Sequence, residues 1–221
     1  MDIKVSIDTV IVFDLDDTLY FELDYLKSAY REIAMKLEPN NWELLFMKIF
    51  SLYRNDKNVF EFLQNEYSIE QSKLIELYRF HKPQISLRNG VGELISNIKE
   101  NNGRVCIITD GRSITQRNKL ESLRILEEVD MICISEEIGE EKPSLKAFNL
   151  IQSAYSDSTE FYYIGDNIKK DFIAPNLLGW KSVCILDSGL NIHNKAYKFI
   201  DNKNHLPNYY ISNFEEININ V

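Results

Sequence analysis

From residue 88 onward, short runs of apolar, β-prone residues alternate with segments of helical pattern, and none of the runs is broken by regularly placed polar residues. "RVCIIT" (104–109), "VDMICI" (129–134), "EFYYI" (160–164) and "KSVCIL" (181–186) are continuous in this sense. A strand apolar on both faces must be covered on both faces, which is the situation of a parallel sheet between helices. The intervening text supplies those helices. "VGELISNIKENNG" carries apolar residues at helical spacing with a Gly behind them, "SITQRNKLESL" opens on a Ser cap, and "PSLKAFNLIQSAY" opens with Pro and Ser. The expected fold is α/β, a doubly wound, Rossmann-like parallel sheet. Its ligands belong at the carboxyl ends of the strands, near the point where the strand order reverses.

One further run, "TVIVF" (9–13), precedes a long interruption. Between residues 19 and 87 strand-like runs are absent and helical text takes their place: "LDYLKSAYREIAMKL", "NWELLFMKIFSLYR", "NVFEFLQNEY" and "IEQSKLIELYRFH". The expected organisation is a core domain of residues 1–18 and 88–221, with residues 19–87 as an inserted α-helical cap domain acting as a lid. Tyr25, Tyr30, Trp42, Phe46, Phe50, Phe60 and Phe62 recur at roughly helical spacing, which assigns them to the core of that insertion. The last thirty residues read as loops leading to a short strand, "YYIS".

Composition narrows the class of partner. A formal net charge of −9 argues against a nucleic acid or an anionic membrane surface. No window reaches the roughly 18 apolar residues of a membrane span, and acidic Asp2 and Asp8 stand where a signal peptide would be basic. A cytoplasmic location is expected. Cys106, Cys133 and Cys184 each sit inside an apolar run, as small buried hydrophobes of a reducing compartment do.

The chemistry-bearing residues stand at the ends of the runs. "TVIVF" leads directly into Asp14, Leu15, Asp16 and Asp17; "VCII" leads into Thr109, Asp110 and Gly111; "MICI" into Ser135; "FYYI" into Gly165, Asp166 and Asn167. In a parallel sheet these ends point the same way, so their side chains can converge. Crowded carboxylates repel one another and need a counter-charge. Hard oxygen donors of this kind suit Mg²⁺, which takes one or a few carboxylates, several waters and a substrate phosphate. Lys142, in "GEEKPS" before a helix, adds a cation where an anion would bind.

"DLDDT" (14–18), "TDG" (109–111), "KPS" (142–144) and "GDNIKKD" (165–171) resemble, in order and spacing, the four motifs of the haloacid dehalogenase-like (HAD) hydrolase superfamily. The helical insertion after the first motif resembles that family's C1 cap, and the likeness covers residues 9 to 187. It implies an Mg²⁺-dependent phosphatase acting on a small phosphorylated metabolite through an aspartyl-phosphate intermediate. By that resemblance Asp14 is nucleophile and metal ligand. Asp16 is general acid and then base, its main-chain carbonyl serving the metal, and Asp166 supplies the remaining metal carboxylate. Thr109 and Lys142 complete the catalytic set. Leu15, Thr109, Asp110, Gly111, Arg112 and Lys142 contact the substrate, and Asp171 and Asn167 support the site. This division fits covalent catalysis, in which one group serves as acid in the first step and base in the second. Tyr20, Phe21 and Asp24, just past the first motif, are candidate neighbours of the leaving group. The chain departs from the commonest pattern with Asp17 where many members have Gly, and Asp110 where many have Asn.

Asp16 favours phosphate esters over carbon–halogen bonds, because a leaving alkoxide needs a proton and a halide does not. A phosphomutase uses the same aspartyl-phosphate with a sugar hydroxyl in place of water. From another class, a phospho-accepting receiver-like signalling domain shares a phosphorylated Asp, a Thr and a Lys on a doubly wound sheet. In that domain the acceptor follows a later strand, and neither the role of Asp16 nor a helical insertion is present.

Overall fold

The computed structural model describes residues 1–220. In chain order its elements begin with β1 (Asp2–Lys4) and β2 (Thr9–Phe13), followed by α1 (Glu22–Leu37), α2 (Trp42–Arg54), α3 (Val59–Tyr67) and α4 (Gln71–Phe80). Then come α5 (Val91–Glu100), β3 (Arg104–Thr109), α6 (Ser113–Ser122), β4 (Met131–Ile134), α7 (Ser135–Ile138) and α8 (Lys146–Ala154). The chain closes with β5 (Glu160–Gly165), α9 (Ile173–Leu177), β6 (Lys181–Ile185), β7 (Tyr209–Ile211) and β8 (Asn218–Asn220). Among the described residues two compact units result, residues 1–22 with 86–220, and residues 23–85.

The larger unit holds a six-stranded sheet of order β4-β3-β2-β5-β6-β7, every neighbouring pair parallel. All five residues of β2 are buried, as a strand covered on both faces requires. On one face Val10, Val12, Cys106, Ile108 and Tyr163 pack with Phe148 and Ile151 of α8 and with Trp180. Phe148 meets Trp180 edge to face with ring centroids 5.5 Å apart. The strand order reverses at β2, which lies between β3 and β5; a crevice for a ligand therefore opens beyond the carboxyl ends of β2 and β5.

Local details depart from the sequence pattern. Ser113 is the first residue of α6 rather than its cap; its N–H donates to Glu136 Oε2 at 2.8 Å, so a carboxylate of α7 covers the helix start. Helix α8 starts at Lys146, not at Pro143 or Ser144. The two-stranded parallel sheet of β1 and β8 joins segments more than 200 residues apart, with Ile3 opposite Ile219. Three-residue strands carry too little periodicity to be read in isolation.

The smaller unit consists of helical segments only. Its interior is mostly aliphatic, with Leu26, Ile33, Leu45, Ile49, Leu63 and Leu74 buried. Of the aromatic residues assigned to it, Tyr25 and Tyr30 are buried, whereas Trp42, Phe46, Phe50, Phe60 and Phe62 are half-buried. The Tyr25 hydroxyl donates to the Tyr78 carbonyl at 2.9 Å, which joins α1 to α4. Phe46 and Phe50, one turn apart, stack with centroids 5.8 Å apart along α2. Among the described residues no helix is long and apolar enough to cross a membrane.

Candidate active site

Asp14 follows the last residue of β2, and its N–H donates to the Ile164 carbonyl at 2.9 Å, so the ladder to β5 runs one residue past the strand and fixes the main chain there. Its Oδ1 accepts from Lys142 Nζ at 2.6 Å and its Oδ2 from Thr18 Oγ1 at 3.3 Å. Lys142 also reaches Asp171 Oδ1 at 2.9 Å and the Tyr163 hydroxyl at 3.0 Å. Asp171 uses its other oxygen to accept from the Asn167 N–H at 2.8 Å. Asp166, just past β5, accepts from Asn191 Nδ2 at 2.8 Å and lies 3.4 Å from Thr18 Oγ1. Asp14, Asp166 and Asp171 each offer an oxygen within 4.8 Å of the others.

These groups are unevenly charged. Burial pushes the Asp14 carboxyl up to about 7; Lys142 opposes the rise and Asp171 adds to it. Burial also raises Asp166 well above the usual carboxylate range, reinforced by Asp171, Asp14 and Asp17. Burial works against the Lys142 ammonium, yet Asp14 and Asp171 outweigh it and hold the lysine well above its ordinary value. One buried cation facing three carboxylates leaves a deficit of positive charge. A hard divalent cation coordinated by oxygen relieves such a deficit, so the residues fit the Mg²⁺ expected from the sequence.

Asp16 belongs to a different set. Its Oδ1 accepts from Lys119 Nζ at 2.6 Å and from the Tyr20 hydroxyl, and its Oδ2 accepts from Gln116 Nε2 at 2.8 Å. Burial by itself raises the Asp16 carboxyl, but Lys119 and the three hydrogen bonds overcome it, and the net position is below the usual value. Glu22 is pushed up to about 8 by burial and by the charge of Asp16. Asp14 and Asp16, two residues apart, thus shift in opposite directions.

Asp17 takes a left-handed conformation, φ 58°, and its carboxylate accepts from the N–H groups of Glu22 at 2.8 Å and Ile192 at 2.7 Å. It ties the start of α1 to the loop after β6. Thr109 is buried, with Gln116 Nε2 2.5 Å from its hydroxyl. Asp110 accepts from the Lys142 N–H at 3.0 Å and from Lys170 Nζ at 2.6 Å, so Lys170 balances the carboxylate that replaces the commoner Asn. Leu15 is fully buried, main chain and side chain alike. Gly111 donates its N–H to Ser135 Oγ at 2.9 Å, and Arg112 reaches Glu136 at 3.4 Å on the surface. Phe21 lies under the Arg88 guanidinium, 4.5 Å from its ring centre, and Asp24 pairs with Lys27 at 3.1 Å.

Sequence reasoning passed over Tyr163, Asn191, Gln116, Lys119 and Lys170. For Gln116 and Lys119 a signal existed: they stand three apart on one face of α6, and that face, with Thr115 and Leu120, is the buried one. Buried Lys and Gln are uncommon without a partner that holds them. The three cysteines are buried, and burial pushes Cys106 and Cys133 up to about 12 and 11, so neither is an activated thiol.

Fold and site together define a Rossmann-like α/β domain with a cluster of buried carboxylates at the sheet's switch point. The family model described as haloacid dehalogenase-like hydrolase matches residues 11–185. The chain belongs to the haloacid dehalogenase-like hydrolases. It is 28% identical over 191 residues to the glyceraldehyde 3-phosphate phosphatase of Methanocaldococcus jannaschii, covering 80% of this chain and 84% of that one. It is 26% identical over 189 residues to the glyceraldehyde 3-phosphate phosphatase of Pyrococcus abyssi, covering 79% of each. A structure assigned to the HAD hydrolases, YfnB of Bacillus subtilis bound to magnesium, superposes with a TM-score of 0.62 at 23% identity, covering 94% of this chain and 96% of that one.

Proposed function

We propose that this chain is an Mg²⁺-dependent phosphatase that hydrolyses a small phosphorylated metabolite through an aspartyl-phosphate on Asp14. The observation that carries the reading is the placement of Asp14: a buried carboxylate at the switch point, bound to Lys142 at 2.6 Å and grouped with Asp166. Two relatives that match four-fifths of the chain are named phosphatases of a three-carbon sugar phosphate, which supports a small ester as substrate.

In this reading Asp14 attacks phosphorus, and the ester bond breaks toward the leaving oxygen, which takes its proton from Asp16. Water then attacks the acyl phosphate, giving its proton to Asp16, and the bond to Asp14 breaks to regenerate the carboxylate. Lys142 offsets charge on Asp14 and on the transferred group, and Thr109 with the Asp110 N–H binds phosphoryl oxygens. Asp14, Asp166 and the main-chain carbonyl of Asp16 would hold Mg²⁺, which when bound neutralises charge on the phosphoryl oxygens. Asp171, fully buried and 2.9 Å from Lys142 Nζ, serves in this reading to hold that lysine.

The test is phosphate release from 4-nitrophenyl phosphate and from a panel of phosphorylated metabolites, with Mg²⁺ and with EDTA. Turnover that needs Mg²⁺ and is lost in Asp14→Asn is the expected result. A stable phosphoprotein without turnover would favour the receiver-like alternative, and transfer to an added sugar in preference to water would make the enzyme a mutase.

A further inference from the structure

The larger unit contains three buried donors, Gln116, Lys119 and Tyr20, that lie outside the four motifs. Lys119 and Gln116 are only 3% and 1% exposed, and both donate to Asp16, through separate oxygens. Tyr20, fully buried, supplies a third donor. Gln116 Nε2 lies within hydrogen-bonding distance of both Asp16 Oδ2 and Thr109 Oγ1, so one amide bridges the two. Space for it is provided by Gly111: a Cβ there would lie 3.2 Å from Gln116 Cδ, and its φ of 136° excludes most side chains.

We propose that Gln116 and Lys119 are positioning residues for Asp16, orienting its carboxylate to take a proton from the water that hydrolyses the aspartyl-phosphate. The proposal rests on the assignment of Asp16 as acid and base made above. Three converging donors suit an acceptor-only carboxylate, and they fix a side chain that would otherwise turn freely at a strand end. In the assisted step the water oxygen bonds to phosphorus and its proton passes to Asp16. The phosphorus–oxygen bond to Asp14 breaks, its electron pair returns to that carboxylate, and inorganic phosphate leaves. The bridge to Thr109 keeps the base and a neighbouring hydroxyl in one network.

The test uses 4-nitrophenyl phosphate, whose leaving group needs no proton, so that formation of the phosphoenzyme is spared while its hydrolysis is not. For Lys119→Met and Gln116→Leu we expect kcat to fall roughly a hundredfold, the scale of a lost general base, with KM falling in parallel and kcat/KM changing far less. A pre-steady-state burst of nitrophenolate and a phosphorylated enzyme in acid-quenched mass spectra accompany the fall, and Lys119→Arg recovers part of kcat. An equal fall of kcat and kcat/KM without a burst, or no change at all, overturns the proposal. If Lys119→Met does not fold, Gln116→Leu and Lys119→Arg decide by the same readouts. Absence of turnover in the wild-type enzyme, by contrast, defeats the phosphatase reading itself.

Discussion

Lys170 Nζ lies 2.6 Å from Asp110 Oδ2, and this ion pair answers the question raised by an acidic residue beside a phosphate site. Asp110 is 12% exposed and Lys170 27%, so the pair is only partly screened by water. Each should be costly to remove alone and less so with its partner. The kcat/KM of Lys170→Met, Asp110→Asn and the double variant should show a coupling of about 1 kcal/mol or more. Additivity within about 0.5 kcal/mol would mean that the pair is incidental.

Asp17 is a structural residue. Its two oxygens accept from Glu22 and Ile192, and an Asn could accept only one of these bonds while turning its amide toward the other N–H. Asn also tolerates the left-handed backbone, so strain does not enter. Asp17→Asn should cost about 1–3 kcal/mol in urea unfolding and retain far more turnover than Asp14→Asn or Asp16→Asn. Turnover as low as in those variants would give Asp17 a chemical role.

Asn191 donates to Asp166, while its Oδ1 is buried without a partner among the described residues. The donor holds Asp166 in one orientation, as partners of metal-binding carboxylates do. Asn191→Ala should weaken Mg²⁺ binding about 10- to 100-fold by titration calorimetry with no substrate present. An unchanged affinity would reduce Asn191 to a packing residue.

Four carboxyls are raised by burial, Asp17 to about 6, Asp14 to about 7, Glu22 to about 8 and Asp166 well above the usual carboxylate range. A raised carboxyl holds its proton in the fold at pH values where the unfolded chain has lost it. The contribution to stability is therefore present in acid and lost as pH rises through each folded value. His193, lowered by burial and by Lys170, acts in the opposite sense below its ordinary 6.5. With EDTA the melting temperature should fall between about pH 5 and pH 8. With Mg²⁺ the fall should be smaller, and the increment due to the metal should widen with pH. A flat or rising curve in EDTA would mean that the protein compensates these charges itself.

Residues 9–13, 104–109 and 160–164 could be read as buried parallel strands because each is apolar throughout, and the structure places β2, β3 and β5 there. The polar residues at their ends were equally legible, since a parallel sheet directs those ends to one side. Continuous runs and abrupt acidic stops are local properties, set by which side chains tolerate burial. The sequence by itself determined the sheet, the helical insertion and the identity of Asp14, Asp16, Thr109, Lys142 and Asp166 as candidates.

Only the tertiary structure decided how those groups are charged and held. Asp14 and Asp16 look equivalent in "DLDD", yet one faces Lys142 among carboxylates and the other faces Lys119, Gln116 and Tyr20. Tyr20 is four residues from Asp16, but Lys142, Lys119 and Gln116 come from 128, 103 and 100 residues away. No local pattern encodes such a separation, because electrostatic environment depends on distance in space and on exclusion of water. The β1–β8 pairing, the service of Asp17 to a loop after β6 and the balance of Asp110 by Lys170 were hidden for the same reason.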